Sequence, residues 1–359
     1  MRSPYLTALL LASCSLPVFE QPVPVSEAVV QRVAFGSCVL QGQPQPIWSA
    51  IADTDPDVFI FAGDNIYADT WDVSIIERKY RQLGAEPGYQ ALRSHLLAKG
   101  PGRLLATWDD HDYGENDAYR TYPKKRESRR LFLDFFEEPE NSARRQHDGI
   151  YDAVLYGPPG RRLQVILLDT RYFRDAFDQS EEALKAGKKS GGPYAPTSDT
   201  KRTMLGREQW AWLERQFEQP ADLRLLVSSV PLVPDDYTTE IWAMMPHERN
   251  RILGLVARSG NTIILSGDRH YTEMSRMQHS QDGLTAPIYD FTSSGLNRIW
   301  EGGAKQTNRW RIEASHAVHN FGMLSVEYGE DPAVTVEALD ESGKTLIRHR
   351  IRLADLKQR

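Results

Sequence analysis

Apolar, β-rich runs in this chain end again and again on acidic and imidazole residues, and that recurrence limits the fold more than any other feature. Val58-Phe59-Ile60-Phe61 runs into Ala62-Gly63-Asp64-Asn65-Ile66-Tyr67, and Leu104-Leu105-Ala106-Thr107-Trp108 into Asp109-Asp110-His111-Asp112. Thr262-Ile263-Ile264-Leu265 runs into Ser266-Gly267-Asp268-Arg269-His270, and Arg32-Val33-Ala34-Phe35 into Gly36-Ser37-Cys38. Short apolar runs bounded by turn formers read as buried strands. In an open α/β sheet the carboxyl ends of the strands line one edge, where ligands bind. Convergence of these four ends pools at least four carboxylates, two imidazoles, a thiol and a phenol.

Such crowding bears on the chemistry. Carboxylates a few Å apart force protons onto one another unless cations neutralise them. Oxygen donors suit hard cations, imidazole suits iron or zinc, and a thiolate beside a phenolate suits a trivalent ion. One negative charge each from Cys38, Asp64 and Tyr67, with His270 neutral, balances Fe3+.

Further strands are expected over 149–156, 163–168, 223–230, 288–291, 323–326, 333–339 and 346–351, and helices over 47–52, 73–98, 124–136, 206–217 and 247–259. This order, with strands clustered late, predicts an α/β fold built as a four-layer α/β/β/α sandwich. Residues 175–203 are polar, Gly-rich and aperiodic, and read as a surface insertion or lid. The net charge of -6, with no long basic run, excludes nucleic-acid scaffold binding. Two cysteines exclude a disulfide framework.

The first of them lies in Leu11-Ala12-Ser13-Cys14, which resembles a bacterial lipobox behind Met1-Arg2 and a short apolar stretch. Residues 1–30 are therefore expected to be an export signal, lipid anchor at Cys14 and Pro-rich tether, with one domain over 31–359. The corresponding location is periplasmic or cell-surface, with membrane attachment through the lipid.

Gly63-Asp64-Asn65-Ile66-Tyr67, Trp108-Asp109-Asp110-His111-Asp112 and Gly267-Asp268-Arg269-His270, in that order behind a Gly-Ser-Cys strand end, resemble the alkaline phosphatase D (PhoD) family. That family belongs to the calcineurin-like and purple-acid-phosphatase-like metallophosphoesterases. The resemblance runs from about residue 31 to beyond 320 and takes in Leu168-Asp169-Thr170-Arg171 and His319-Asn320-Phe321-Gly322.

The resemblance implies that Asp64 bridges two metals, that Cys38, Tyr67 and His270 complete an iron-like site, and that Asp110 and Asp268 serve the second metal. Carboxylates in place of nitrogen ligands favour Ca2+ there, with Zn2+, Mn2+ or Mg2+ as alternatives. Many relatives supply another histidine along the strand 225–231, where this chain offers only the hydroxyls of Ser228 and Ser229, which leaves the second metal's identity and full coordination open. His111 would face the leaving group with Asp112 as its orienting carboxylate, and Arg171, Asn116, His319 and Asn320 would contact substrate. The implied activity is hydrolysis of phosphoric mono- or diesters by hydroxide held between cations about 3.5 to 4 Å apart. The alternative is a non-catalytic surface lipoprotein binding glycan, lipid or a partner on the same scaffold. A serine hydrolase ranks last because no G-x-S-x-G elbow occurs.

Overall fold

The computed structural model describes residues 25–187, 192–281 and 284–357; the expected leader with Cys14 lies outside them. In chain order the strands are β1 (Val25–Ser26), β2 (Arg32–Gly36), β3 (Val58–Ala62), β4 (Leu104–Thr107), β5 (Asp152–Tyr156), β6 (Leu163–Leu167), β7 (Asp178–Gln179) and β8 (Tyr194–Ala195). They continue with β9 (Leu223–Ser228), β10 (Thr262–Ser266), β11 (Thr272–Gln281), β12 (Leu284–Ser293), β13 (Asn320–Glu327), β14 (Ala333–Asp340) and β15 (Thr345–Arg352). The helices are α1 (Ile47–Asp53), α2 (Val73–Gly84), α3 (Pro87–Ala98), α4 (Asp110–Tyr113), α5 (Lys125–Phe135), α6 (Glu181–Lys185), α7 (Gly206–Glu218), α8 (Pro246–Ser259), α9 (Glu301–Ala304) and α10 (Leu353–Leu356).

Two mixed sheets stack on each other. One has the order β1-β5-β6-β9-β10-β12-β11 and the other β15-β14-β13-β2-β3-β4. Alternation along β3 shows why they layer: Val58, Ile60 and Ala62 enter the core shared by the two sheets, while Phe59 and Phe61 enter a second core under α1, α2, α3 and α5. On the far side Ile166, Leu226 and Ile264 pack against Trp210 and Leu213 of α7 and Ile252 and Val256 of α8. Helix, sheet, sheet and helix make the expected α/β/β/α sandwich. In the second sheet β2, β3 and β4 run parallel, and in the first β6, β9, β10 and β12 do. Parallel strands carry their carboxyl ends to one edge.

Three features depart from the sequence expectation. The helix expected over 73–98 is two, because Pro87 has no N–H to continue α2 and instead starts α3. The strand expected over 288–291 is one arm of a ten-residue hairpin whose other arm, β11, is mostly polar. Its Glu273 is buried and paired with Arg311 at 2.7 Å and the Tyr237 hydroxyl at 2.8 Å, so no apolar pattern marks the strand. The folded body also starts before residue 31, since Val25 pairs with Leu155. The stretch expected as an insertion carries α6 and the small β7–β8 sheet.

Candidate metal centre

The carboxyl ends of β2, β3 and β4 meet those of β10 and β12 across the gap between the sheets. Glycine makes the approach possible. Gly63 follows β3 at φ 104°, and a Cβ there would lie 2.8 Å from the Asp109 Cβ and 2.9 Å from the Ser229 Cβ. At Gly267 a Cβ would meet the Ala62 carbonyl and the Ser37 hydroxyl, both at 2.7 Å.

The side chains beyond these glycines converge. The Cys38 thiol lies 3.4 Å from Asp64 Oδ2 and 3.1 Å from the Ser294 hydroxyl. The Tyr67 hydroxyl donates to Asp64 Oδ2 at 3.0 Å and lies 3.0 Å from His270 Nε2. Donor atoms of Cys38, Asp64 and His270 fall within 4.8 Å of one another, as do those of Asp64, Asp110 and His111, and those of Asp109, Asp110 and Asp268. Asp64 and Asp110 therefore link the groups. Cys38, Asp64, Asp268 and His270 adopt φ of 66°, 50°, 68° and 58°. Non-glycine residues persist in this left-handed region only where the surroundings hold them, and such strain gathers at functional sites. The holding bonds are Val39 N–H to the Asp64 carbonyl at 2.8 Å and His270 N–H to the Ser294 hydroxyl at 2.8 Å.

Burial raises the pKa of Asp64, Asp268, Cys38 and Tyr67. Burial acts the same way on Asp110, but His111 and Arg171 outweigh it and bring that carboxyl below its usual range. Burial pushes His111 down, yet Asp110, Asp64 and Asp69 together carry it up to about 11. His270 falls to about 3 through burial, assisted by Arg298 and His111. Within this cluster Asp64 Oδ1, Asp109 Oδ2 and Asp110 Oδ1 are buried with no hydrogen-bond donor. A buried carboxylate oxygen without a hydrogen-bond donor costs free energy; at Asp110 the charges of His111 and Arg171 offset it, whereas at Asp64 burial prevails. Cations at the shared carboxylates supply the missing charge, so the donor set fits hard metal ions.

Several residues singled out in the sequence take other positions than expected. The carboxylate orienting His111 is not Asp112 but Asp69, whose Oδ1 lies 2.6 Å from His111 Nδ1. Adjacent residues on a helical turn point in different directions, so Asp112 turns inward from α4 instead. It accepts from Asp109 N–H at 2.6 Å and from the Asn65 side chain at 2.5 Å, closing the loop under the site. Arg171 is fully buried behind the acids rather than open to phosphate. Its Nε donates to Asp109 Oδ1 at 2.6 Å, Nη2 lies 3.6 Å from Asp110, and Nη1 donates to Glu240. Glu240 is shared with Arg174 at 2.6 Å.

His319 pairs with Glu341 at 2.7 Å and does not line the cavity in front of the acids. Asn320 is buried, accepts from the Ser293 hydroxyl at 2.8 Å and donates to the Val318 carbonyl at 2.8 Å, so it braces the strand end that carries Ser294. Asn116 does line the cavity, which has a volume of about 350 Å³, as does Tyr194 from the expected insertion. Where relatives were expected to carry a histidine, the Ser229 hydroxyl donates to Asp109 Oδ1 at 2.6 Å. Asp69 and Glu240 escaped the sequence reading; Asp69 alone had a signal, its place just beyond the Gly-Asp strand end. Ser293-Ser294-Gly295 looks exposed in the sequence and motivates the serine-hydrolase alternative, but Ser294 is buried against Cys38 and the His270 N–H.

The profile of the PhoD-like phosphatases matches residues 34–352. No curated protein matches by sequence. Among solved structures, that of PhoD aligns with a TM-score of 0.61 and 17% identity over 91% of this chain and 73% of its own. Purple acid phosphatase PPD1 from yellow lupin (Lupinus luteus) gives 0.61 and 14% over 94% and 56% of the two chains. A dimetal phosphatase from Danio rerio gives 0.52 and 12% over 91% and 100%. At these identities the structural likeness speaks for the fold, while the profile spans nearly all of the folded domain. The chain belongs to the PhoD-like phosphatase family.

Proposed function

We propose that this chain hydrolyses phosphoric mono- or diesters with two cations, Fe3+ held by Cys38, Asp64, Tyr67 and His270, and Ca2+ by Asp64, Asp110 and Asp268. The observation that carries the reading is the set of buried, donorless carboxylate oxygens at the junction of a thiol, a phenol and an imidazole. When bound, such ions polarise phosphoryl oxygens and lower the pKa of water. The remaining chemistry belongs to the chain.

His111 lines the cavity with Nδ1 tied to Asp69, which leaves Nε2 as the ring atom available to a departing oxygen. Asn116 offers an amide to the phosphate. Arg171 and Asp112 position the acids without touching substrate. The proposal extends to an exported protein anchored through Cys14. No helix among the described residues is long and apolar enough to cross a membrane.

Elemental analysis combined with turnover of p-nitrophenyl phosphate and bis-p-nitrophenyl phosphate tests the reading. Iron and calcium in stoichiometric amounts, with activity lost on chelation and regained on metal return, are expected. Full activity in metal-free protein would overturn it, and absence of both metal and activity would favour the non-catalytic alternative. Asp69→Asn is expected to lower kcat by about 10- to 100-fold for a poor leaving group and far less for p-nitrophenolate, because only the former needs a positioned proton donor. Equal losses on both would deny Asp69 that role.

A further inference from the structure

Asp110, Asp117, Glu240 and Asp268 all line the cavity in front of the acids, and a phosphoric ester is itself an anion. Cations held at the shared carboxylates would offset that charge, which leaves the question of which cationic side chain is free to pair with the phosphate's non-bridging oxygens. Arg171 is engaged by Asp109 and Glu240. Arg269 also lines the cavity, but it is buried, donates to the Thr239 hydroxyl and the Gln306 side chain, and packs its guanidinium 4.6 Å from the centre of the Tyr237 ring.

Arg298 is different. It stands two residues before Trp300, which lines the cavity, though Arg298 itself does not line it in this conformation. It is half-buried, and among the described residues its guanidinium has no ion-pair or hydrogen-bond partner. It lies over the face of Tyr67, 4.2 Å from the ring centre. That ring is 4.4 Å from the His111 ring, and its hydroxyl touches both Asp64 and His270. The cation therefore rests on the ring whose hydroxyl meets two of the proposed ligands.

Its backbone is pinned on both sides. Asn297 accepts from Leu40 N–H at 2.6 Å and donates to the Leu40 carbonyl at 3.0 Å, and Trp300 N–H donates to the His270 carbonyl at 2.8 Å. The anchor is fixed while the long side chain keeps its freedom. A cation resting on an aromatic face at a partly exposed site is held weakly, whereas a guanidinium and a phosphate make paired, charge-assisted hydrogen bonds.

We propose that Arg298 is the residue that binds the substrate's phosphate, forking onto its non-bridging oxygens from a resting place on the Tyr67 ring. This rests on the phosphoesterase reading and adds to it the cation that Arg171 does not supply. Phosphate, as substrate group or released product, is the ligand.

The test uses Arg298→Ala and Arg298→Lys in the full chain, reloaded with metal. For Arg298→Ala, KM for p-nitrophenyl phosphate and the inhibition constant of inorganic phosphate are each expected to rise by about 10- to 100-fold. The rise for the singly charged bis-p-nitrophenyl phosphate is smaller. Metal content stays at the wild-type level, the upward shift of the melting temperature produced by phosphate shrinks at equal phosphate concentration, and added guanidinium ion restores part of the lost activity. Arg298→Lys keeps the charge but not the fork and falls between the two. KM and phosphate inhibition within about twofold of wild type in either variant would overturn the proposal, and should Arg298→Ala lose metal, Arg298→Lys decides. A wild-type protein that hydrolyses neither ester would instead remove the phosphoesterase reading, and Arg298 with it.

Discussion

Asp64→Asn is expected to abolish a metal-dependent rise in melting temperature and to lower ester turnover by about a thousandfold or more, yet to leave the sandwich folded. Asp64 stands in two of the donor clusters, accepts from Tyr67 and Cys38 through Oδ2, and leaves Oδ1 buried with no donor. Asparagine tolerates the φ of 50° that position requires, so the substitution removes charge without adding backbone strain. Without metal, losing one carboxylate from this crowded group relieves repulsion, and the metal-free variant is expected to melt no lower than metal-free wild type. With metal, binding to the folded state adds about 2.7 kcal/mol at a hundredfold excess over Kd. That increment is expected in wild type and is expected to be missing in the variant. Calorimetry with and without added Fe3+ and Ca2+, elemental analysis and bis-p-nitrophenyl phosphate turnover make the comparison. A variant that keeps both ions and a tenth of the activity removes Asp64 from the centre.

Arg171→Met is expected to destabilise the protein by about 3 to 5 kcal/mol, the range seen when one member of a buried ionic group is deleted. The guanidinium is fully buried among Asp109, Asp110 and Glu240, and these acids are themselves nearly inaccessible to solvent. Methionine fills much of the volume, so the loss reports charge rather than a cavity. Combining it with Glu240→Gln should recover part of the loss, because the second change removes one of the orphaned charges. Urea unfolding of the single and double variants gives the coupling. Had Arg171 faced substrate, its loss would raise KM at unchanged stability, and that outcome would reverse the assignment made from burial.

The metal cluster and the arginine network differ in how far each could be read in advance. Gly63-Asp64 and Gly267-Asp268 follow apolar strands directly, so the strand's period and direction carry the acids to a common edge. The four-layer sandwich was legible for the same reason: strands such as β3 present apolar side chains to two cores. β11 was hidden because its polar residues find buried partners instead of water. Neither His111 with Asp69 nor Arg171 with Glu240 follows from local pattern, since their partners lie 42 and 69 residues away.

From the sequence alone came the strand ends, the glycines that let them approach and the donor types they carry, because these depend on neighbours a few residues apart. Tertiary structure alone decided which carboxylate faces His111, that Arg171 is sealed behind the acids, and that Arg298 is left uncommitted above Tyr67. A charged side chain's role depends on what else reaches the same few Å of space, and that is settled only when distant segments pack.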